Sequence, residues 1–231
     1  AASDVYKRQT SEQEVERRRT RLDSIELRER RLVLTLPQPQ LGETKRSVLA
    51  DVYIALVHHP VYDKQHNVVT TSITNMDIHD IARSALTYGV RRYFVVNPVR
   101  SLHALAEKIL EHWQVGHGST YNQTRKDALS IVTLTYTLER VHQIIEQNTG
   151  KTPYVVATSA KFGRTDRISF SSLREYLRDT NRPVLLLLGT GWGLTEAIFE
   201  RAEATLEPIE GENSCPDRHH RHFSQQRSIP D

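Results

Sequence analysis

Between residues 48 and 207 apolar positions fall in two alternating rhythms. Short continuous runs, Tyr-Ile-Ala-Leu-Val at 53–57, Tyr-Phe-Val-Val at 93–96, Ile-Val-Thr-Leu at 131–134, Tyr-Val-Val-Ala at 154–157 and Leu-Leu-Leu-Leu at 185–188, have the length and β-branched or aliphatic content of buried strands. Between them the spacing changes to that of one helical face: Ile78, Ile81, Ala82, Ala85 and Leu86, stopped by Gly89; Leu102, Leu105, Ala106, Ile109, Leu110 and Trp113; Leu138, Val141, Ile144 and Ile145, closed by Gly150; and Leu173, Tyr176 and Leu177. A short helix over 195–202 and a last strand at 205–207 follow. The segments 58–66, 116–122 and 158–167 read as loops. Repeated strand, helix, strand order at this spacing predicts an α/β domain, a mostly parallel sheet with helices on both faces.

The run of four leucines, bounded by Pro183 and by Gly189, predicts a strand buried on both faces. The turn after it carries Gly189, Gly191 and Gly193, residues that accept positive φ and let a ligand approach the backbone closely. With Glu207 18 residues after Gly189, this is also the outline of a Rossmann nucleotide site or a Rossmann-like methyltransferase. Chain order argues against both: in those folds several βα units follow the glycine loop, whereas here one short helix and one short strand do. The cofactor pocket is therefore expected in the C-terminal third.

At 231 residues the chain holds one substantial domain with extensions. No apolar run approaches the roughly 20 residues of a membrane span, and no signal peptide opens the chain. The single cysteine, Cys215, forms no internal disulfide and no zinc cluster, so a cytoplasmic setting is expected. The net charge of +3 comes from one end: residues 1–47 hold 11 Lys/Arg and 8 Asp/Glu, leaving 20 of each for 48–231. Overall charge is thus no argument for nucleic acid, and only local clusters are. Residues 1–47 read as a solvated Arg/Glu-rich helix with a proline-bearing linker, or as a basic arm that contacts nucleic acid. Residues 212–231 have almost no apolar content and read as a disordered polar tail. Its His219, His220 and His222 lack acidic or cysteine partners at ligand spacing, so no metal site is expected.

The segments Tyr-Ile-Ala-Leu-Val-His-His-Pro-Val-Tyr at 53–62, Thr-Asn-Met-Asp-Ile-His-Asp-Ile-Ala-Arg-Ser-Ala-Leu-Thr-Tyr-Gly-Val at 74–90, Tyr-Val-Val-Ala-Thr-Ser at 154–159 and Leu-Leu-Leu-Leu-Gly-Thr-Gly-Trp-Gly-Leu at 185–194 resemble, in combination, a bacterial family of S-adenosylmethionine-dependent RNA methyltransferases. That family sits in the SPOUT superfamily, related to the tRNA guanine-N1 methyltransferases. Over about residues 52–211 the resemblance implies an α/β domain tied in a trefoil knot, a homodimer enclosing the site, and tRNA or rRNA as substrate. It implies three cofactor loops, at Thr158 and Ser159, at Gly189, Thr190, Gly191, Trp192, Gly193 and Leu194, and at 206–211 with Ile209 and Gly211. Trp192 walls the adenosine or belongs to the core. Asn75 and Arg83 match the superfamily's first motif; the alternatives are a helix N-cap for Asn75 and a solvated arginine for Arg83.

Methyl transfer to a base or hydroxyl needs a base, for which Asp77, Asp80 and His79 stand close; a surface or capping histidine is the other reading of His79. Lys161, Arg164 and Arg167 with Arg91, Arg92, Arg125 and Lys126 form a phosphate track or scattered surface charge. After residue 211 the chain departs from the family's closing loop and apolar helix. A frameshift near Glu212 explains this most simply, and would leave the knot incomplete, the pocket open on one side and an apolar patch exposed. The rival readings are a non-catalytic RNA-binding relative or inactive truncated form, and a nucleotide-dependent oxidoreductase, which requires the glycine loop to follow the first sheet strand.

Overall fold

The computed structural model describes residues 50–116, 118–160 and 166–209, which belong to the compact unit Glu43–Asp231. The expectations for residues 1–47, Lys161, Arg164, Gly211 and the tail 212–231 lie outside the described residues. Elements run in the order β1 (Val52–Val57), β2 (Val61–Tyr62), β3 (Val68–Val69), α1 (Asn75–Thr87), β4 (Arg92–Val96), α2 (Arg100–Gln114), α3 (Gly118–Tyr121), α4 (Gln123–Ser130) and β5 (Val132–Thr135). Then come α5 (Leu138–Thr149), β6 (Tyr154–Thr158), β7 (Arg167–Ile168), α6 (Phe170–Asp179), β8 (Val184–Gly189), α7 (Glu196–Phe199) and β9 (Ala204–Leu206).

Seven strands form one sheet in the order β5-β4-β1-β8-β6-β9-β7, and every neighbouring pair is parallel. The leucine strand β8 occupies its centre, with Leu185 opposite Tyr53 of β1 and Val155 of β6. Because side chains alternate along a strand, Val184, Leu186 and Leu188 share one face with Leu56, Tyr93, Val156 and the inward sides of α1, α2, α4 and α6. Leu185 and Leu187 point to the other face and are buried too, as expected for a strand covered on both sides.

Local chemistry sets the helix ends. Thr74 caps α1 through a capping box: Asp77 N donates to Thr74 Oγ1 at 3.2 Å, and Thr74 N donates to Asp77 Oδ2 at 2.8 Å. The N-cap alternative for Asn75 is thereby overturned, since Asn75 is the first helical residue. Helix α5 ends at Gly150, whose φ of 68° is the left-handed stop that glycine accepts. Helix α2 departs from the expected face. Leu105 is 51% exposed, while His103 is buried, its Nε2 2.6 Å from the Asn97 carbonyl oxygen and its ring stacked on Tyr136 at 4.0 Å. The satisfied imidazole takes the interior place that periodicity assigned to leucine.

Two expected loops contain structure. Residues 61–69 form the antiparallel hairpin β2–β3, turned by Asp63, whose Oδ1 accepts the amides of Gln65 and Asn67 and whose Oδ2 accepts Asn67 Nδ2. The expected loop 116–122 contains α3, and residues 123–130, to which no element was assigned, form α4, capped by Asn122.

Candidate functional site

All seven strands point the same way, so their C-terminal ends share one edge of the sheet. Strand β6 lies between β8 and β9, with Ala157 opposite Leu187 and Thr158 opposite Leu206. The three loops singled out in the sequence therefore start side by side, after Thr158, Gly189 and Leu206. The ends of neighbouring strands about 4.8 Å apart are close enough to touch a single ligand.

The central loop is shaped by its glycines and held by the hairpin. Gly191 has φ of 59°, and a Cβ there would sit 2.9 Å from the Tyr62 carbonyl oxygen; Gly193 has φ of 105°. Trp192 N donates to Tyr62 O at 2.9 Å and Tyr62 N to Gly193 O at 2.9 Å, while Val61 bridges Leu194. Thr190 Oγ1 donates to Val57 O at 3.1 Å and lies 2.5 Å from Thr71 Oγ1, which is in turn 2.9 Å from His58 Nδ1. The outer part of the loop stays open: Gly189 and Gly191 are exposed, and Trp192 is 41% exposed, which rules out a core role for that indole. Leu194 is buried, so its side chain belongs to the packing beneath the loop.

Two buried polar atoms beside this loop have no hydrogen-bond partner among the described residues. Thr195 Oγ1 lies two residues after Gly193, and His58 Nε2 belongs to the ring that reaches the loop through Thr71. Such atoms are costly unless something satisfies them. Exposed glycine backbone, half-buried Thr158 and Ser159, an exposed indole and an orphaned hydroxyl suit a ligand with an aromatic base and ribose-type hydroxyls. Burial pushes the His58 imidazole below its ordinary value, opposed by the nearby Asp77, so the ring is neutral at pH 7. Ile209, in the third loop, is 78% exposed.

Glu207, the acidic residue of the Rossmann-like spacing, is engaged elsewhere. Its Oε1 accepts the first amide of α6, Phe170 N, at 2.7 Å. The glycine loop also follows β8 rather than β1, and the second half of the order, β8-β6-β9-β7, is not the sequential one of a dinucleotide fold. The oxidoreductase reading is excluded on topology.

The four proposed catalytic residues lie on α1, which begins four residues after Thr71. Asn75, Asp80 and Arg83 are exposed and Asp77 half-buried. One Asp77 oxygen is committed to the capping box. Asn75 and Asp80 border a cleft with His79 and Trp113, and Asp80 and Arg83 border a smaller depression that reaches Tyr88. His79 is held below its ordinary pKa, first by burial and then by Arg125. At Arg83, eight residues into α1 at about 1.5 Å per residue, the helix has run roughly 12 Å from its start.

The phosphate track is not continuous. Arg91 pairs with Asp51 at 2.7 Å and Arg92 is buried, donating to Thr133 Oγ1 at 3.0 Å. Both stand at the start of β4, on the sheet edge opposite the glycine loop. Arg125 lies over Trp113, 4.6 Å from the ring centroid. Sequence reasoning missed His58, Thr71 and the hairpin as the support of the glycine loop. Asp63 and Asn67 between Val61-Tyr62 and Val68-Val69 were the available signal, a short turn between two pairs of strand-forming residues.

A family model described as SAM-dependent RNA methyltransferase matches residues 51–228, and so runs on through the residues after Glu212. The chain is 42% identical over 159 residues to a tRNA (guanine-N(1)-)-methyltransferase of Oleidesulfovibrio alaskensis, covering 69% of this chain and 36% of that protein. It is 38% identical over 183 residues to a protein of the same name from Nitratidesulfovibrio vulgaris, covering 75% and 42%. With an uncharacterized protein of Aquifex aeolicus the identity is 34% over 161 residues, covering 70% and 78%. The chain thus spans about two fifths of the length of the two methyltransferase relatives.

Proposed function

The chain belongs to the family of S-adenosylmethionine-dependent RNA methyltransferases, and on that footing we propose that it binds S-adenosylmethionine where β8, β6 and β9 end and transfers the methyl group to a nucleotide of tRNA or rRNA. The observation that carries this reading is the pairing order β8-β6-β9, which brings Thr158, Gly189 and Leu206 to one edge. Backbone groups at Gly189, Gly191 and Gly193 take the adenine and ribose, with Trp192 against the base and Thr158, Ser159 and Ile209 on the flanks. Gly211, outside the described residues, is assigned to the third loop from the sequence alone.

The bound donor supplies an electrophilic methyl carbon on a sulfonium: the acceptor atom bonds to that carbon as the carbon–sulfur bond breaks, and the acceptor gives up its proton. The chain's own part is to orient the donor and receive that proton. Arg83 is the phosphate or base contact and Asn75 a polar guide. Asp80, with a free carboxylate, and the second oxygen of Asp77 are the proton acceptors. A trefoil knot through the residues after Leu206, a homodimer that closes the site and a cytoplasmic location complete the proposal. Among the described residues no helix is long and apolar enough to cross a membrane.

The cap role of Asp77 supports a second reading, a non-catalytic RNA-binding relative. Incubating the full chain with tRNA and rRNA and a donor labelled on its methyl group distinguishes the two. Label in RNA, lost in Arg83→Ala, supports the enzyme; retained RNA without label overturns it in favour of the second reading.

A further inference from the structure

A cleft lies on the helical side of the domain, and no residue of the glycine loop lines it. It has a volume of about 440 Å³ and is walled by α1, α2 and α4. Its floor is apolar, built from Ile109 and the indole of Trp113. Its lip carries Met76 and Leu105, which are 71% and 51% exposed. Large apolar side chains left open beside an indole are costly to hydrate, and a surface of this kind marks a binding site.

The charged groups around that floor are mostly positive. Arg125 sits over Trp113 in a cation–π pair, and Lys108 stands on the adjacent turn of α2. Among the described residues neither cation makes an ion pair. Against these two positive charges the lining holds one carboxylate, Asp80. His79 and His112 meet the indole edge-on at 5.6 and 5.3 Å, and Asn75 adds an amide with both donor and acceptor. An apolar slot with an aromatic platform, unpaired cations at its rim and a side-chain amide has the chemistry that single-stranded nucleic acid requires: a ring to stack on, phosphate neutralisation, and a group that bonds a base edge.

We propose that the cleft between α1, α2 and α4 is a docking site for one unpaired nucleotide of the RNA substrate, stacked at Trp113 with its phosphates against Arg125 and Lys108, beside the α1 residues Asn75 and Asp80 assigned to methyl transfer. The identity of the polymer as RNA rests on the methyltransferase reading; the stacking and charge argument does not. Asn75 then belongs to RNA docking, and Arg83, one depression further along α1, continues the path of the strand.

The chain has two tryptophans, and they separate the two sites. Hexa-adenylate RNA is titrated into the full chain and into Trp113→Phe while indole emission is followed. Binding of fluorescently labelled hexa-adenylate is measured by anisotropy at several salt concentrations for Lys108→Ala and Arg125→Ala, with circular dichroism melts to verify folding. The expected result is saturable quenching in the wild type that disappears in Trp113→Phe. Each cation variant should lose about fivefold or more in affinity, and each should lower the salt dependence by roughly 0.7 in log–log slope, the signature of one lost phosphate contact on a single strand. Quenching that persists in Trp113→Phe, or cation variants that melt like wild type and bind RNA as well, would overturn the proposal. Calorimetry with S-adenosylmethionine on the same samples keeps the two readings apart. Donor binding without RNA quenching sinks the cleft alone, and RNA quenching without donor binding sinks the methyltransferase reading while the cleft stands.

Discussion

Thr71 Oγ1 and Thr190 Oγ1 lie 2.5 Å apart, joining residues separated by 119 positions. Thr71 also receives the side chain of His58, and its carbonyl oxygen accepts Asn97 Nδ2 at 3.0 Å. Thr190 reaches back to the end of β1 through Val57 O. The glycine loop is therefore fixed from behind by hydroxyl and imidazole groups, and its outer surface is free. Thr190→Val keeps the shape and removes both hydroxyl bonds. It should lower stability by about 1–2 kcal/mol in urea unfolding and weaken S-adenosylmethionine binding several-fold. Unchanged donor affinity in a destabilised variant would separate the network from the site.

Gly191 is the strictest position in the loop. A Cβ there meets the Tyr62 carbonyl oxygen at 2.9 Å and also has to take φ of 59°. Gly89, with φ of 72°, has open space around it, so alanine there carries only the backbone penalty. Gly191→Ala should cost about 2–3 kcal/mol and Gly89→Ala about 1 kcal/mol. Equal losses by urea denaturation would show that contact with the hairpin does not matter.

At the opposite edge of the sheet Arg182 pairs with Glu203 through two bonds of 2.9 and 2.6 Å. Its Nε and Nη2 also donate to the carbonyl oxygens of Thr152 and Pro153, each at 2.9 Å. One guanidinium thus ties the approaches to β8, β6 and β9, the strands whose other ends carry the three loops. Arg182→Lys keeps the charge and loses the fork. Because the pair is partly exposed, the expected loss is about 1 kcal/mol, seen as a lower urea midpoint. A midpoint identical to wild type would contradict the clamp.

Burial lowers the imidazole pKa of His58, His103 and His142 from an ordinary value of 6.5, and that of His79 as well. Below about pH 6.5 the unfolded chain takes up protons that these folded histidines resist, so stability is full above that pH and declines as the pH falls beneath it. The melting temperature should be lower at about pH 5.5 than at about pH 8. His103→Gln, which removes one resisting group, should narrow the gap. Equal melting temperatures at both pH values would contradict the assignment of these rings as neutral in the folded chain.

The leucine strand, its glycine turn and the order of strands and helices are legible because their periodicities and stop residues are local. Leu185 to Leu188 could only be a strand covered on both sides, and β8 is central. What was illegible depends on distant partners. His103 looks polar in a helical pattern, yet the Asn97 carbonyl oxygen and the Tyr136 ring make it an interior residue. Arg92 looks like surface charge, and Thr133 across the ladder gives it a buried partner. Asn75 and Thr74 are both good caps by type, and only the reciprocal bond with Asp77 assigns the role to Thr74. The adjacency of Thr158 and Gly189 could be hoped for from their loops, but it follows from β6 pairing with β8, a register set between residues about thirty positions apart.

The central claim is that S-adenosylmethionine binds at the ends of β8, β6 and β9. Hydrogen–deuterium exchange of the full chain, with and without saturating S-adenosylmethionine, tests it most directly. The account predicts slowed exchange confined to peptides covering 158–160, 189–195 and 206–211, with the hairpin at 61–69 following as the loop it holds is fixed. Saturable binding with protection elsewhere, or no change in any of the three loops, would contradict it.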